Sequence, residues 1–348
     1  MPITLSGISN DILSTTIYEI RDEVAEGLFE TTPFLSMSRK LGKIKSFSGG
    51  YKLVVPVETK VHSQVTVLDS GWEALDLSVQ DFTEQAEYDW TRIAIPVLIS
   101  GREEAENSGD RAVIDLAEAR FKNAMSALMR QVNTQIVKGG TTFPTLGSLN
   151  GNSGSTTVAA SGRTDGLLEA IDPAAAATNT MGGLTRGLIP GLRNQWETAG
   201  GTLAMADLYE VEAKASTLLP AGGDGGRFHL TLASPNAYVA YRNLLFDKER
   251  YVDAKTLDGN GVASLAFSSG IIAPERAADV SAAGDGRNSF MMLNLDGVQL
   301  HVHNGADFSF SGFENISGYD GRYGRILFMG GLTANHIGSS ALVTNAEA

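Results

Sequence analysis

The chain has 348 residues, of which 43% are hydrophobic, so it is long enough to bury a large core as one domain or as two lobes. It contains no cysteine, which excludes disulfides, thiolate metal sites and cysteine nucleophiles. Its formal net charge of -13 argues against broad binding of phosphate groups, because nucleic-acid-binding proteins usually present a basic face. The sequence also predicts neither a membrane span nor a signal peptide.

The N-terminal segment begins as a polar arm and continues as a short amphipathic helix. Four apolar residues recur at helical spacing: Ile17, Ile20, Val24 and Leu28. We expect this helix to end at the Thr-Thr-Pro stretch of residues 31–33, because a residue that precedes proline disfavours the helical conformation. The apolar face of the helix needs a surface to lie on.

Residues 31–57 form a segment that we call the basic block, because it contains no Asp or Glu. Its basic residues are Arg39, Lys40, Lys43, Lys45 and Lys52. Such a run is either a basic turn that faces water or a docking surface for a partner. The sequence leaves both interpretations open.

From residue 51 onward the hydrophobic period becomes that of β-strands. Residues 51–66 and 82–100 predict two long strands that face each other across a turn-rich segment. The first strand would be roughly 50 Å long at about 3.3 Å per residue. An isolated ribbon of two strands is marginal in water, so we expect it to rest on a neighbouring molecule or to fold back on its own body. Pro56 and Pro96 suit edge positions.

The far part of this ribbon, residues 69–89, carries charge of one sign, and we call it the acidic segment. Its acidic residues are Asp69, Glu73, Asp76, Asp81, Glu84, Glu87 and Asp89, and no Lys or Arg occurs in residues 61–91. An extended ribbon would hold its tip well beyond a Debye length of about 8 Å from the basic block, so we expect negligible pairing within one chain. The basic block and the acidic residues from Glu73 to Asp89 are therefore candidate contacts between copies of the chain.

The strongest helical signal lies at residues 110–138, which contain no Pro and no Gly. One apolar stripe follows its whole length: Val113, Ala117, Phe121, Ala124, Leu128, Val132 and Ile136. Glu118 and Lys122 form an i,i+4 pair in the favourable order, and Gly139-Gly140 provides an exit after Lys138. We predict a helix roughly 43 Å long that acts as a spine.

A segment rich in Gly, Ser and Thr, residues 140–166, predicts a crossing to a second lobe with mixed α+β structure. In this lobe we expect helices at residues 203–218 and after Ser234-Pro235, and a strand at residues 228–232. Residues 295–297 and Gly330-Gly331 each separate two strand candidates, and both predict hairpins.

A search for chemistry gives no catalytic constellation and no cofactor site. His301 and His303 lie two residues apart on a predicted strand and could share a metal, but nothing nearby supplies a third ligand, and we expect exposed histidines instead. The glycines at 222–226 precede a strand, which is the wrong context for binding phosphate. The acidic segment has too many carboxylates to single out a general acid and a general base.

The order of these parts resembles the major capsid proteins of tailed phages, which have the Hong Kong 97-type fold. The matching stretches are TPFLSMSRKLGKIKSFSGGYKLVVPVE (32–58), ISGREEAENSGDRAVIDLAEARFKNA (99–124), GGLTRGLIPGLRNQW (182–196) and RILFMGGLTANHIGSSALV (325–343). The resemblance implies an α+β fold of five segments. They are an N-terminal arm (1–42), an extended β-hairpin loop (43–100), a peripheral domain with the spine helix (101–165), an axial domain with returning peripheral strands (166–323), and a closing hairpin with the C-terminus (324–348).

The resemblance implies a non-enzymatic protein that self-assembles, as pentamers and hexamers, into the icosahedral head shell of a tailed double-stranded DNA phage. Its implied partners are other copies, a portal, a separate scaffolding protein and packaged DNA through weak non-specific contact, with no membrane. Its implied location is the virion, after synthesis in the cytoplasm of a bacterial host.

The chain departs from the family in two respects. Related proteins often carry arginines in the closing segment, where this chain has Asn335, His336 and Gly338, so contacts made by those arginines are not expected. We also expect no long prodomain ahead of the arm. An encapsulin-like compartment of the same fold is an alternative, and an α+β enzyme or sugar-binding protein of low oligomeric state is a third.

Overall fold

The architecture comes from a computed structural model of the chain. The structure describes residues 14, 17–18, 32–60, 64, 69, 75, 77–106, 110–138, 142–144, 155–157, 166–171, 180–217, 227–246, 265–268, 270–275, 289–315, 318 and 320–347. No helix in these ranges is both long enough and apolar enough to cross a membrane.

The helices within the described ranges are α1 (Pro33–Lys40), α2 (Gly101–Glu106), α3 (Asp110–Lys138), α4 (Leu167–Ala170), α5 (Met205–Ser216) and α6 (Pro235–Phe246). The strands are β1 (Ile44–Phe47), β2 (Leu53–Glu58), β3 (Thr83–Tyr88), β4 (Thr91–Ser100), β5 (Thr142–Pro144), β6 (Ser155–Thr157), β7 (Thr180–Met181), β8 (Leu184–Thr185), β9 (Gln195–Thr202), β10 (Leu230–Ala233), β11 (Leu265–Phe267), β12 (Gly270–Pro274), β13 (Ser289–Leu293), β14 (Val298–His303), β15 (Ser309–Phe310), β16 (Glu314–Asn315), β17 (Gly321–Ala334) and β18 (Ala341–Glu347). Two 3₁₀ helices lie at Arg186–Leu188 and Pro190–Leu192.

The first large sheet is organised around β17. Its strand order is β1-β14-β17-β15, and β4 and β16 also pair with β17. The pairing of β4 with β17 is antiparallel and runs from Thr91 opposite Gly330 to Ser100 opposite Gly321. Because β1 pairs in parallel with β14, a strand near the N-terminus is joined to one that is more than 250 residues away, with Ile44 opposite Leu300.

The second large sheet has the order β11-β12-β10-β13-β18-β9. Helices α5 and α6 pack against this sheet and share a hydrophobic cluster with it that includes Leu208, Tyr241 and Phe290. The expected cap of α6 is confirmed, because the backbone N–H of Ala237 donates to the Ser234 hydroxyl at 3.3 Å. The expected α5 is confirmed as well, at Met205–Ser216.

The spine helix is confirmed, with the predicted bounds at Asp110–Lys138. Five members of its apolar stripe are buried: Ala117, Phe121, Leu128, Val132 and Ile136. The ring of Phe121 packs edge to face on Phe310 with centroids 5.5 Å apart, which ties α3 to the first sheet. The expected ion pair of Lys122 with Glu118 is present.

A helix begins at Pro33 with Thr32 as its N-cap, and the end of the preceding amphipathic helix, expected at residues 31–33, stays a prediction because residues 19–31 lie outside the described ranges. Pro33 occupies the first turn of α1, where a missing backbone N–H costs nothing. The preceding amphipathic helix lies mostly outside the described residues. Of its expected apolar residues Ile17 is described and is buried, and the neighbouring Tyr18 hydroxyl donates to the Phe310 carbonyl at 2.7 Å.

The two predicted hairpins in the second half of the chain are wrong. The strands on either side of residues 295–297 belong to different sheets, since β13 pairs with β10 and β18 while β14 pairs with β1 and β17. Gly330-Gly331 lies inside the continuous strand β17 and makes no turn. Its missing side chains allow close packing, because a Cβ at Gly331 would lie 2.8 Å from a methyl carbon of Leu53.

Arg186 is a buried cation in the stretch 182–196, with 1% of its surface exposed. Its guanidinium donates to the carbonyl oxygens of Leu192 at 2.9 Å and Ala170 at 2.5 Å, and to Asn194 Oδ1 at 2.8 Å. These bonds tie both 3₁₀ helices to α4. A buried charge needs such acceptors, because burying it without them would cost several kcal/mol.

Candidate inter-subunit surface

The root of the hairpin formed by β2 and β3 lies on the chain's own body. Leu53 and Val57 of β2 and Ala86 and Tyr88 of β3 are buried on its inner face. The Tyr88 hydroxyl also donates to the carbonyl of Ala334, at the end of β17, at 2.7 Å. The inner face of the hairpin therefore packs on the rest of the same chain, which is one of the two supports expected for the ribbon.

Within the described residues, the first strand of the hairpin is shorter than the sequence indicates. β2 ends at Glu58, so the first strand is six residues long instead of the predicted sixteen of residues 51–66. The predicted strand of residues 82–100 is divided into β3 and β4, because β4 leaves the hairpin and pairs with β17. Residues 61–63 and 65–66 of the predicted first strand lie outside the described ranges.

The outer side and the far end of the hairpin expose apolar side chains that sequence analysis missed. Exposure reaches 87% for Leu77 and 95% for Val79. We call the following residues the apolar hairpin surface: Tyr51, Val54, Leu75, Leu77, Val79 and Phe82. The alternation of Leu75, Leu77 and Val79 was the available signal, since it places three apolar residues on one side of an extended segment. Exposed apolar residues that lie on one side of the same segment, as these three do, indicate a candidate interaction site.

Two lysines of the basic block form ion pairs within the chain. Lys43 Nζ lies 2.8 Å from Asp296 Oδ1, and Lys52 Nζ lies 2.7 Å from Glu87 Oε2. The hydrogen bond and the charge of Glu87 raise the pKa of Lys52. The expectation of negligible pairing within one chain is therefore wrong for Lys52, because the antiparallel register that sets Val54 opposite Glu87 brings the two side chains together at the hairpin root.

The other candidate contacts lie apart from one another. Arg39 and Lys40 are exposed in the last turn of α1, and Lys45 is exposed on β1. Asp69, Asp81, Glu84 and Asp89 of the acidic segment are exposed, whereas Glu73 and Asp76 lie outside the described residues. Contact of these residues with another copy stays a prediction.

The histidines of β14 differ from their expected exposed state. His301 is buried, with 4% of its surface exposed, and His303 is half-buried. Burial, with a smaller effect from the charge of Lys45, lowers the pKa of His301 to about 4. Among the residues that the structure describes, no group of three potential ligands could hold a metal ion.

No protein-family model matches the sequence, and neither does any curated protein. Solved structures match over most of the chain. The capsid of cyanophage A-1(L) has a TM-score of 0.60 and 15% identity, covering 89% of this chain and 93% of that one. The chain has the Hong Kong 97-type capsid fold.

Two further structures share this fold. A structure of Gordonia phage Cozz has a TM-score of 0.51 and 14% identity, with coverage of 88% of this chain and 85% of that one. The holo-encapsulin complex of Synechococcus elongatus has a TM-score of 0.53 and 13% identity, with coverage of 91% and 89%. Phage capsids and an encapsulin thus share the Hong Kong 97-type fold with this chain.

Proposed function

We propose that this chain is the major structural subunit of an icosahedral head shell of a tailed double-stranded DNA phage, assembled through pentamers and hexamers. The observation that carries the proposal is the apolar hairpin surface, exposed on a chain with the Hong Kong 97-type capsid fold. Water contact with these side chains is unfavourable by about 25 cal/mol per Å² of apolar area. A second copy that covers them supplies the missing burial.

The proposed role is structural and needs no catalytic residue or cofactor. The proposed partners beyond other copies are a portal, a separate scaffolding protein and packaged DNA held by weak non-specific contact. The net charge of -13 fits weak DNA contact, because a strongly acidic chain repels phosphates. The proposed location is the virion, after synthesis in the host cytoplasm, and the division into arm, hairpin loop, peripheral and axial segments stays a prediction.

An encapsulin-like compartment is the second candidate, favoured by the similarity to the encapsulin complex of Synechococcus elongatus. Both functions predict a closed shell, and they differ in what it encloses. Nucleic acid inside particles purified from infected or induced cells supports the phage shell. A co-purified enzyme with no nucleic acid supports the compartment.

We expect the purified full chain to form closed shells, or separate pentamers and hexamers, visible by negative-stain electron microscopy and light scattering. The matched variant is Leu77→Asp with Val79→Asp, which should leave the fold intact because both side chains are exposed, and should reduce assembly at least about 10-fold through repulsion and lost apolar burial. A wild-type chain that stays monomeric at high concentration contradicts the proposed function.

The candidate charged contacts can be tested by reversal at pH 7.5. We expect Glu84→Lys to slow assembly about 10-fold at low salt, and adding Lys45→Glu to restore part of the rate, because complementary charges mainly steer encounter. The control is Lys52→Glu with Glu87→Lys, which swaps a pair formed within one chain and should leave the rate unchanged. If the double reversal of Lys45 and Glu84 assembles no faster than Glu84→Lys alone, these residues do not pair between copies.

A further inference from the structure

His301 lies on the side of the first sheet that packs against the two ends of the hairpin. Leu300 and Val302, its neighbours on β14, belong to the core cluster, so the alternation of a strand directs His301 to the opposite side. The ring of Phe47 from β1 covers it there, with centroids 4.9 Å apart. Neither Nδ1 nor Nε2 of His301 has a hydrogen-bond partner in the described part of the chain.

The two ends of the hairpin meet over this side of the sheet. Gly331 of β17 pairs with His301, and Leu53 at the start of β2 packs against Gly331. From the returning end, the ring centroid of Trp90 lies 6.1 Å from that of His303. The Trp90 indole N–H donates to the carbonyl of Gly50 at 3.0 Å, which joins the outgoing and returning chains.

We propose that His301 is an acid-sensitive latch at the root of the hairpin: its neutral imidazole allows β1 and the hairpin ends to pack on the sheet, and its protonation releases them. A neutral ring can lie against Phe47 as an aromatic side chain. An imidazolium in the same place would be a buried cation whose two N–H donors find no acceptor, which strongly favours a conformation that exposes it.

The charged groups around His301 would not offset the positive charge of a protonated His301 ring. On β1 the residue opposite it is Lys45, which is positive. The residue opposite His301 on β17 is Gly331, which carries no charge. On β14, the nearest titratable group to His301 is His303. At the hairpin root the carboxylate of Glu87 is already paired with Lys52, and Asp89 adds a charge that also acts on Lys52.

The direction of the pH effect follows from the pKa of His301 in the two states. In the packed state this pKa is lowered to about 4, whereas a released imidazole titrates near its ordinary value of 6.5. The released state therefore binds the proton more tightly, and acidification favours release between pH 6.5 and pH 4. The equilibrium constant for release rises up to 10-fold per pH unit, or roughly 300-fold over the whole window.

The latch is a property of one subunit and does not depend on the proposed shell function. Trp90 is a suitable reporter because its indole group lies at the hairpin root. In a background with Trp72→Phe and Trp196→Phe, Trp90 becomes the single tryptophan of the chain. We expect its fluorescence emission to shift to the red as the pH falls from 7.5 to 4, while far-UV circular dichroism stays constant.

Three variants of this background test the latch. His301→Gln and His301→Phe cannot be protonated in this range and should abolish the shift. Lys45→Met keeps His301 but raises its pKa in the packed state, so the shift should move to lower pH. The controls are His303→Gln, next to the reporter, and His336→Gln, a half-buried histidine whose pKa is also lowered by desolvation.

Both histidine controls should retain the shift. Loss of the shift in either control while His301→Gln keeps it, or a shift that occurs only together with loss of the circular dichroism signal, overturns the proposal. So does a chain whose Trp90 emission does not change between pH 7.5 and pH 4.

Discussion

Val132→Asp is expected to prevent the chain from folding into soluble subunits. Val132 is 2% exposed on the buried stripe of α3 and belongs to the main core cluster. An unpaired carboxylate in such a place costs several kcal/mol, whether it stays charged or takes up a proton. The stability of a whole domain is only about 5 to 15 kcal/mol, so this one change consumes a large share of it. Soluble yield and far-UV circular dichroism at 25 °C measure the loss.

Two further variants separate the burial of the charge from other effects. Asn123→Asp adds the same charge to an exposed position of α3, and should change the free energy of unfolding by less than about 0.5 kcal/mol. Val132→Ala removes two methyl groups without adding a charge, and should cost about 2 kcal/mol. A Val132→Asp chain with normal yield and normal unfolding would show that the stripe of α3 faces water.

The spine helix was predictable because its signals are local. The interval between apolar residues, the absence of Pro and Gly and the glycine exit all lie within residues 110–140. The cap of α6 at Ser234 is local in the same sense. Packing of the rest of the chain agrees with these preferences, so tertiary structure did not have to override them.

Strand pairing was not predictable because it depends on residues far apart in sequence. β13 and β14 follow each other closely, as the strands of a hairpin do, yet each is buried in a different sheet. Gly330-Gly331 carries the same composition as a turn, but here glycine is needed so that Phe328, His301 and Leu53 can approach the backbone. Composition alone does not distinguish these two uses of glycine.

The candidate site was predictable in its charges and not in its contacts. The one-signed runs of residues 31–57 and 69–89 are visible in the sequence. The pairing of Lys52 with Glu87 depends on the register of the hairpin. A shift of one residue would turn every side chain of one strand to the other face and would separate this pair. The burial of His301 depends on Phe47, and thus on the parallel pairing of β1 with β14.

Gly297→Ala is expected to destabilise the chain by about 3 kcal/mol or more, because overpacking against backbone cannot be relieved by rotating a side chain. A Cβ at this position would lie 1.7 Å from the carbonyl oxygen of His336. The backbone there is also fixed by hydrogen bonds, since the Gly297 carbonyl accepts from the N–H groups of Asn335 at 3.0 Å and His336 at 3.4 Å. Relief of the clash therefore requires β14 to move relative to the end of β17.

The urea midpoint of unfolding, followed by circular dichroism, measures this cost. Gly49→Ala is the matched control, because a Cβ at Gly49 meets nothing within 4 Å and the position does not require a left-handed conformation. That control should shift the free energy of unfolding by less than about 1 kcal/mol in either direction. If Gly297→Ala unfolds at the same urea concentration as Gly49→Ala, the crossing between the two sheets has room for a methyl group, and the close approach of residues 297 and 336 is not needed for the fold.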